Sequence, residues 1–177
     1  MSKFLVIAEK PSVAQSYAKN LSAYKREDGY LEGESCIVSW CLGHLAEYAQ
    51  PEEYDPKYEK WQFDDLPILP EAWKLKVSKD KKKQFDVLKG LMNRSDVEYL
   101  VNGCDAGREG ELIFQRVYVL AGCRKPVKRL WISSMEDAAI QKGFQTMKSE
   151  EEYKNLCMAA VCRAQADWLI GMNGTRA

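Results

Sequence analysis

The sequence predicts an α/β fold: an open, mostly parallel four-stranded sheet flanked by helices. Three observations point there. Short apolar runs alternate with stretches whose apolar residues recur at helical spacing, the pattern of right-handed βαβ crossovers. The first run, Phe4 to Ala8, is apolar at every position until Glu9-Lys10 interrupts it, as a strand buried on both faces requires. Two acids, Glu9 and Asp105, stand at the carboxyl ends of predicted strands, where open parallel sheets bind their ligands.

The elements follow in order. After the first strand, Pro11 sits where a first helical turn tolerates it, and Val13, Ala14, Tyr17, Ala18 and Leu21 mark one helical face. Residues 35–42 read as a second strand ending at Gly43-His44. Residues 49–73 hold four of the six prolines and several aromatics, which predicts an ordered excursion with little regular structure, a binding loop or a lid. Phe85, Leu88, Leu91 and Met92 give a helix over 81–92, residues 97–101 a third strand, and residues 109–120 a strongly apolar helix. Residues 127–132 form a fourth strand, placed near an edge by Lys128 and Arg129, and residues 135–147 and 151–170 read as helices.

A chain of 177 residues is expected to be one domain, 1–177, able to bury a core without disulfide or metal staples. The 26 basic and 26 acidic residues cancel, so any basic surface for nucleic acid is local, as at Lys79-Asp80-Lys81-Lys82-Lys83. Six cysteines without a CxxC pair, beside a single histidine, give no zinc motif and suit a reducing, cytoplasmic location. Five apolar residues at the amino terminus are too few for a signal peptide or a membrane span, so no membrane partner is expected. Gly171 to Ala177 offers neither a cap nor a polar tail, which leads us to expect that the natural protein continues beyond it.

The densest chemistry lies in Asp105-Ala106-Gly107-Arg108-Glu109-Gly110-Glu111, between a strand and a helix. Asp105 and Glu109 supply oxygen ligands of the type Mg²⁺ takes with water and substrate phosphate, and Glu9 adds a third from a neighbouring strand end. Arg108, Lys10 and the helix amino terminus bring positive charge to the same place, as a phosphodiester requires. A salt-bridged structural turn would use the same residues. Lys57-Tyr58-Glu59-Lys60-Trp61 mixes cations and aromatics in the manner of single-strand binders, although Trp61 packed under its own loop would read the same way.

Glu9 after the first strand and Asp105-x-x-Arg-Glu-Gly-Glu111 after a later one resemble the TOPRIM domain, a Rossmann-like fold. With Ala8-Glu-Lys-Pro-Ser-Val-Ala14, Gly43-His-Leu45, Arg129-Leu-Trp-Ile-Ser-Ser134 and Arg163 through Arg176, the chain resembles the amino-terminal part of type IA DNA topoisomerases of the topoisomerase III kind. The resemblance implies an enzyme that cuts one DNA strand with a tyrosine, holds the 5′ phosphate, passes a strand and reseals with Mg²⁺. It implies Glu9, Lys10 and Arg108 as catalytic residues and Glu9, Asp105 and Glu109 as metal ligands. Glu9 would protonate the departing 3′ oxygen, Lys10 would steady the scissile phosphate, and Arg108 would help orient the phosphate or the tyrosine.

Trp61, Arg163, Trp168, Asn173 and Arg176 are the expected DNA contacts, Trp168 having a core role as its alternative. The nucleophilic tyrosine belongs to a later domain and its motif is not among the nine tyrosines here, so the implied partners are single-stranded DNA and the remaining domains of the same enzyme. The fragment alone is expected to be inactive. Gly107 departs from the family's common second aspartate, and Glu111 or water is expected to compensate. TOPRIM nucleases, primases and non-catalytic nucleic-acid modules are the rival readings.

Overall fold

The computed structural model describes residues 2–177. Its strands are β1 (Lys3–Ala8), β2 (Lys25–Glu27), β3 (Tyr30–Glu32), β4 (Cys36–Trp40), β5 (Ala46–Tyr48), β6 (Leu75–Val77), β7 (Val97–Gly103), β8 (Val127–Arg129) and β9 (Lys148–Ser149). The helices are α1 (Pro11–Asn20), α2 (Pro51–Tyr54), α3 (Lys82–Met92), α4 (Arg108–Leu120), α5 (Asp137–Gln145) and α6 (Lys154–Gly174).

The four expected strands are β4, β1, β7 and β8, and they pair in that order, all parallel. The full sheet has seven strands, because the β2–β3 hairpin extends one edge and β9 the other, each antiparallel. These additions escape a search for apolar runs: Lys25–Glu27 and Lys148–Ser149 are charged or polar and open to solvent on edge strands, where hydrophobic runs are not needed. A separate β5–β6 ladder brackets residues 49–74.

Burial explains the layers. Alternate residues of the central strands feed opposite faces: Leu5, Ile7, Ile37 and Leu100 pack with α3 and α4, while Val6, Ala8, Val38 and Val101 pack with α1 and α5. Each fully buried side chain of this size contributes about 1.5–3 kcal/mol relative to exposure. A third cluster joins Tyr48, Ile68 and Trp73 to Trp168 on α6, with Tyr54 edge-on to the Trp168 ring. The proline-rich excursion is thereby an ordered, aromatic-pinned cover, as its composition suggested.

β8 lies one strand from the edge, as its charges suggested, with Lys128 exposed; Arg129, however, is fully buried and ion-paired with the equally buried Glu111. β8 is shorter than expected, ending at Arg129.

Candidate active site

The site is built at the carboxyl ends of β1 and β7, which are hydrogen-bonded neighbours with Ala8 opposite Gly103. Chain direction therefore delivers Glu9 and Asp105 to the same rim. They touch: the Asp105 backbone N–H donates to Glu9 Oε2 at 3.3 Å. Glu9 is nearly buried at 8% exposure, whereas Asp105, Lys10, Arg108 and Glu109 are exposed around it.

Glycine makes the turn into α4 possible. Gly107, its N-cap, has φ +156°, a conformation L side chains rarely adopt. A methyl at Gly110 would overlap the Asp105 carbonyl oxygen, so the helix start lies directly on the Asp105 peptide. The first-turn N–H groups of α4 consequently face the same rim, with partial positive charge.

The structure brings together only part of the predicted ligand set. Glu9 and Asp105 adjoin, but the Glu109 carboxylate turns away to hydrogen-bond His44 Nε2, a residue left out of the predicted site. His44 stands on the loop after β4, its carbonyl held by Lys81 Nζ at 2.9 Å, and its Nδ1 is buried without a partner among the described residues. Its signal in the sequence was the same as that of Glu9 and Asp105: a polar residue just past a strand end. Among the described residues no three His, Cys, Asp or Glu side chains converge as a preformed metal cage. The donors nonetheless fit Mg²⁺, whose sites commonly use one or two carboxylates with water and phosphate completing the octahedron.

Glu111 does not compensate for Gly107. Its carboxylate lies on the far side of the helix start, fully buried, accepting from Arg129 Nε at 2.5 Å. Burial first, and Glu150 beside it second, push Glu111 up to about 7 against the opposing pull of Arg129. Glu111 Oε2 and Glu150 Oε2 are both buried without hydrogen-bond partners among the described residues. Cys104, next to Asp105, is buried, and its thiol is pushed well up, first by its hydrogen bond with Cys41 and then by burial, which makes it a packed thiol and not a nucleophile.

The expected DNA contacts divide. Trp61 is 62% exposed, with the Arg176 guanidinium 5.0 Å above its ring. Arg176 also donates to the Tyr58 carbonyl at 2.7 Å and pairs with Glu52 at 3.8 Å, so it is engaged in holding the excursion. Arg163 is exposed, 3.7 Å from Asp167. Two expectations are corrected. Trp168 is buried in the aromatic cluster with Nε1 donating to the Ala49 carbonyl at 3.1 Å, so it offers no free face for a base. Asn173 spends its amide on the backbone of Ile68, accepting from its N–H and donating to its carbonyl, which makes it a clamp between α6 and the excursion.

A family model described as the Toprim domain matches residues 4–135. A protein named DNA topoisomerase 3 from Bacillus subtilis (strain 168) is 51% identical over all 177 residues of this chain, which cover 24% of that relative. The same name attaches to relatives from Bacillus anthracis, at 51% identity, and Bacillus licheniformis, at 49%, with the same coverage. Among solved structures, the full-length topoisomerase I of Thermotoga maritima superimposes with a TM-score of 0.61 at 20% identity, over 94% of this chain and 24% of that one. That likeness shows the shared fold. The chain thus spans about a quarter of the length of the curated relatives it matches.

Proposed function

The chain belongs to the Toprim domain family, and from that premise we propose that it is the Mg²⁺-binding portion of a type IA, topoisomerase III-like DNA topoisomerase. The complete enzyme cleaves and reseals single-stranded DNA through a 5′-phosphotyrosine whose tyrosine lies outside this chain. The observation that carries the reading is the contact of Glu9 with the Asp105 peptide at adjacent strand ends, inside a sequence 51% identical to proteins of that name.

Within this reading Glu9 and Asp105 hold the metal, and Glu109 joins them on release from His44. The Mg²⁺ ion supplies positive charge that aligns the scissile phosphate for resealing. Glu9, the least exposed of the three acids, passes a proton to the departing 3′ oxygen. Lys10 and Arg108, exposed on either side, steady the phosphate with the amino terminus of α4. Trp61 and Arg163, both exposed, would offer a stacking face and a phosphate contact to the single strand, whereas the Arg176 side chain, held by Tyr58 and Glu52, would act through the excursion. The partners are single-stranded DNA and the remaining domains of the same polypeptide, in the cytoplasm. No helix among the described residues is long and apolar enough to cross a membrane.

A Mg²⁺ titration of the chain followed by backbone NMR tests this, repeated with Asp105→Asn and Glu9→Gln. Shifts centred on Glu9 and Asp105 that vanish in both variants are the expected result. Shifts scattered over surface acids, or insensitive to both substitutions, would overturn it.

A further inference from the structure

Arg129 is a fully buried guanidinium whose N–H groups are spent on the backbone beneath the site. Nη2 donates to the Asp105 carbonyl at 2.8 Å. Nη1 donates to Cys104 at 2.6 Å, to Asn102 at 3.1 Å and to Leu130 at 3.0 Å, all through carbonyl oxygens. Nε meets Glu111 Oε1, and the Trp131 ring, stacked on Tyr153, closes over the group with its centroid 5.0 Å from Cζ.

A buried charge this well paired is commonly no more than a structural post. The identity of its acceptors argues for more. β7 ends at Gly103, so the carbonyls of Cys104 and Asp105 lie past the strand, on the segment that must aim the Asp105 carboxylate. The amides of that segment are held by Asn102 Oδ1 and Glu9 Oε2, and its carbonyls by Arg129. Only a planar fork gathers two successive carbonyls and a carboxylate at once; a lysine ammonium of equal charge does not.

We infer that Arg129 is a positioning residue for Asp105, reaching from β8 to fix the peptide from which the proposed metal ligand projects. This rests on the reading of Asp105 as a ligand, and the experiment separates the two. Arg129→Lys is compared with Leu88→Ala, a core variant on α3 whose side chain makes no hydrogen bond to the Asp105 segment, by hydrogen exchange of the metal-free chain and by Mg²⁺ titration.

The expected result for Arg129→Lys is exchange about tenfold faster at the amides of residues 104–110 and Mg²⁺ binding about tenfold weaker, the effect usual for residues that orient ligands. Leu88→Ala, at similar loss of thermal stability, should leave both at wild-type values. Exchange and affinity unchanged in Arg129→Lys, or lost equally in Leu88→Ala, overturn the inference. Faster exchange in Arg129→Lys with no Mg²⁺ response even in the wild type leaves the positioning intact and overturns the metal reading instead. Should Arg129→Lys fail to fold, NMR of the wild-type guanidinium decides. Separately resolved Nη protons that shift on Mg²⁺ addition support the role, and freely averaged ones that ignore Mg²⁺ overturn it.

Discussion

His44 and Glu109, 65 residues apart in the chain, hydrogen-bond across the mouth of the site. The bond engages an acid that the sequence reading offers as a ligand of the proposed metal. Replacing His44 with alanine frees Glu109; a pair this exposed is worth about 1 kcal/mol or less, so Mg²⁺ should bind up to about fivefold more tightly. Calorimetric titration of the variant checks this; an unchanged affinity would mean that Glu109 takes no part in holding the ion.

Gly110 permits the close approach of α4 to the Asp105 peptide. Gly110→Ala must push the helix start outward, at a cost of about 1–3 kcal/mol typical of overpacking. At about 2–4 °C per kcal/mol for a chain of this size, Tm should fall by several degrees, and NMR shifts should concentrate around Asp105.

Gly107→Asp places a carboxylate where the family resemblance implies a second aspartate. A Cβ there meets open space, yet φ +156° strains any L residue, so the metal-free variant should lose about 1–3 kcal/mol. Denaturant unfolding with and without Mg²⁺ separates the strain from any gain in metal affinity. Affinity no tighter than wild type would mean that the chain lacks no ligand at this position.

The buried Glu111 sets a pH dependence. Its folded value, about 7, lies above its ordinary 4.5, so between these limits the folded chain holds a proton that the unfolded chain has lost. The stability it contributes is therefore complete below pH 4.5 and is lost as pH rises through 7. Glu150→Gln removes the neighbouring charge and should flatten that decline, read as the urea midpoint at intervals from pH 5 to 8.

Trp61 and Trp168 should respond oppositely to oligonucleotide. Trp61→Ala is expected to weaken single-strand binding by about 1–3 kcal/mol, the usual worth of one stacked base. Trp168→Phe should leave binding unchanged while lowering Tm, since it loses the bond to Ala49. Fluorescence titration of both variants distinguishes them.

What the sequence made legible follows from what each element needs. The central strands must be apolar on both faces, so Phe4–Ala8 and the strand before Asp105 announce themselves, and with them the two acids past their ends. The edge strands make no such demand, and Lys25–Glu27 and Lys148–Ser149 read as loops. Lys128 and Arg129 rightly placed β8 near an edge, but the burial of Arg129 was not legible, because its partner Glu111 lies on another element and becomes visible only in space. Trp168 and Asn173 resembled ligand contacts because an aromatic and an amide serve a core or a clamp equally well. The diversion of Glu109 to His44 depends on a loop-to-helix contact that no local pattern encodes.

The contact of Glu9 with Asp105 spans 96 residues of chain, and the pairing of β1 with β7 brings the two together. The aromatic-pinned cover supplies none of the hydrogen bonds that hold the two acids. Such a layout lets the intervening segment lengthen, shorten or change its chemistry over evolutionary time while the acid pair keeps its spacing. Diversity in how nucleic acid is gripped can then accumulate independently of how phosphate is handled, and grafting a foreign cover between β5 and β6 becomes a practical route to altered substrate preference.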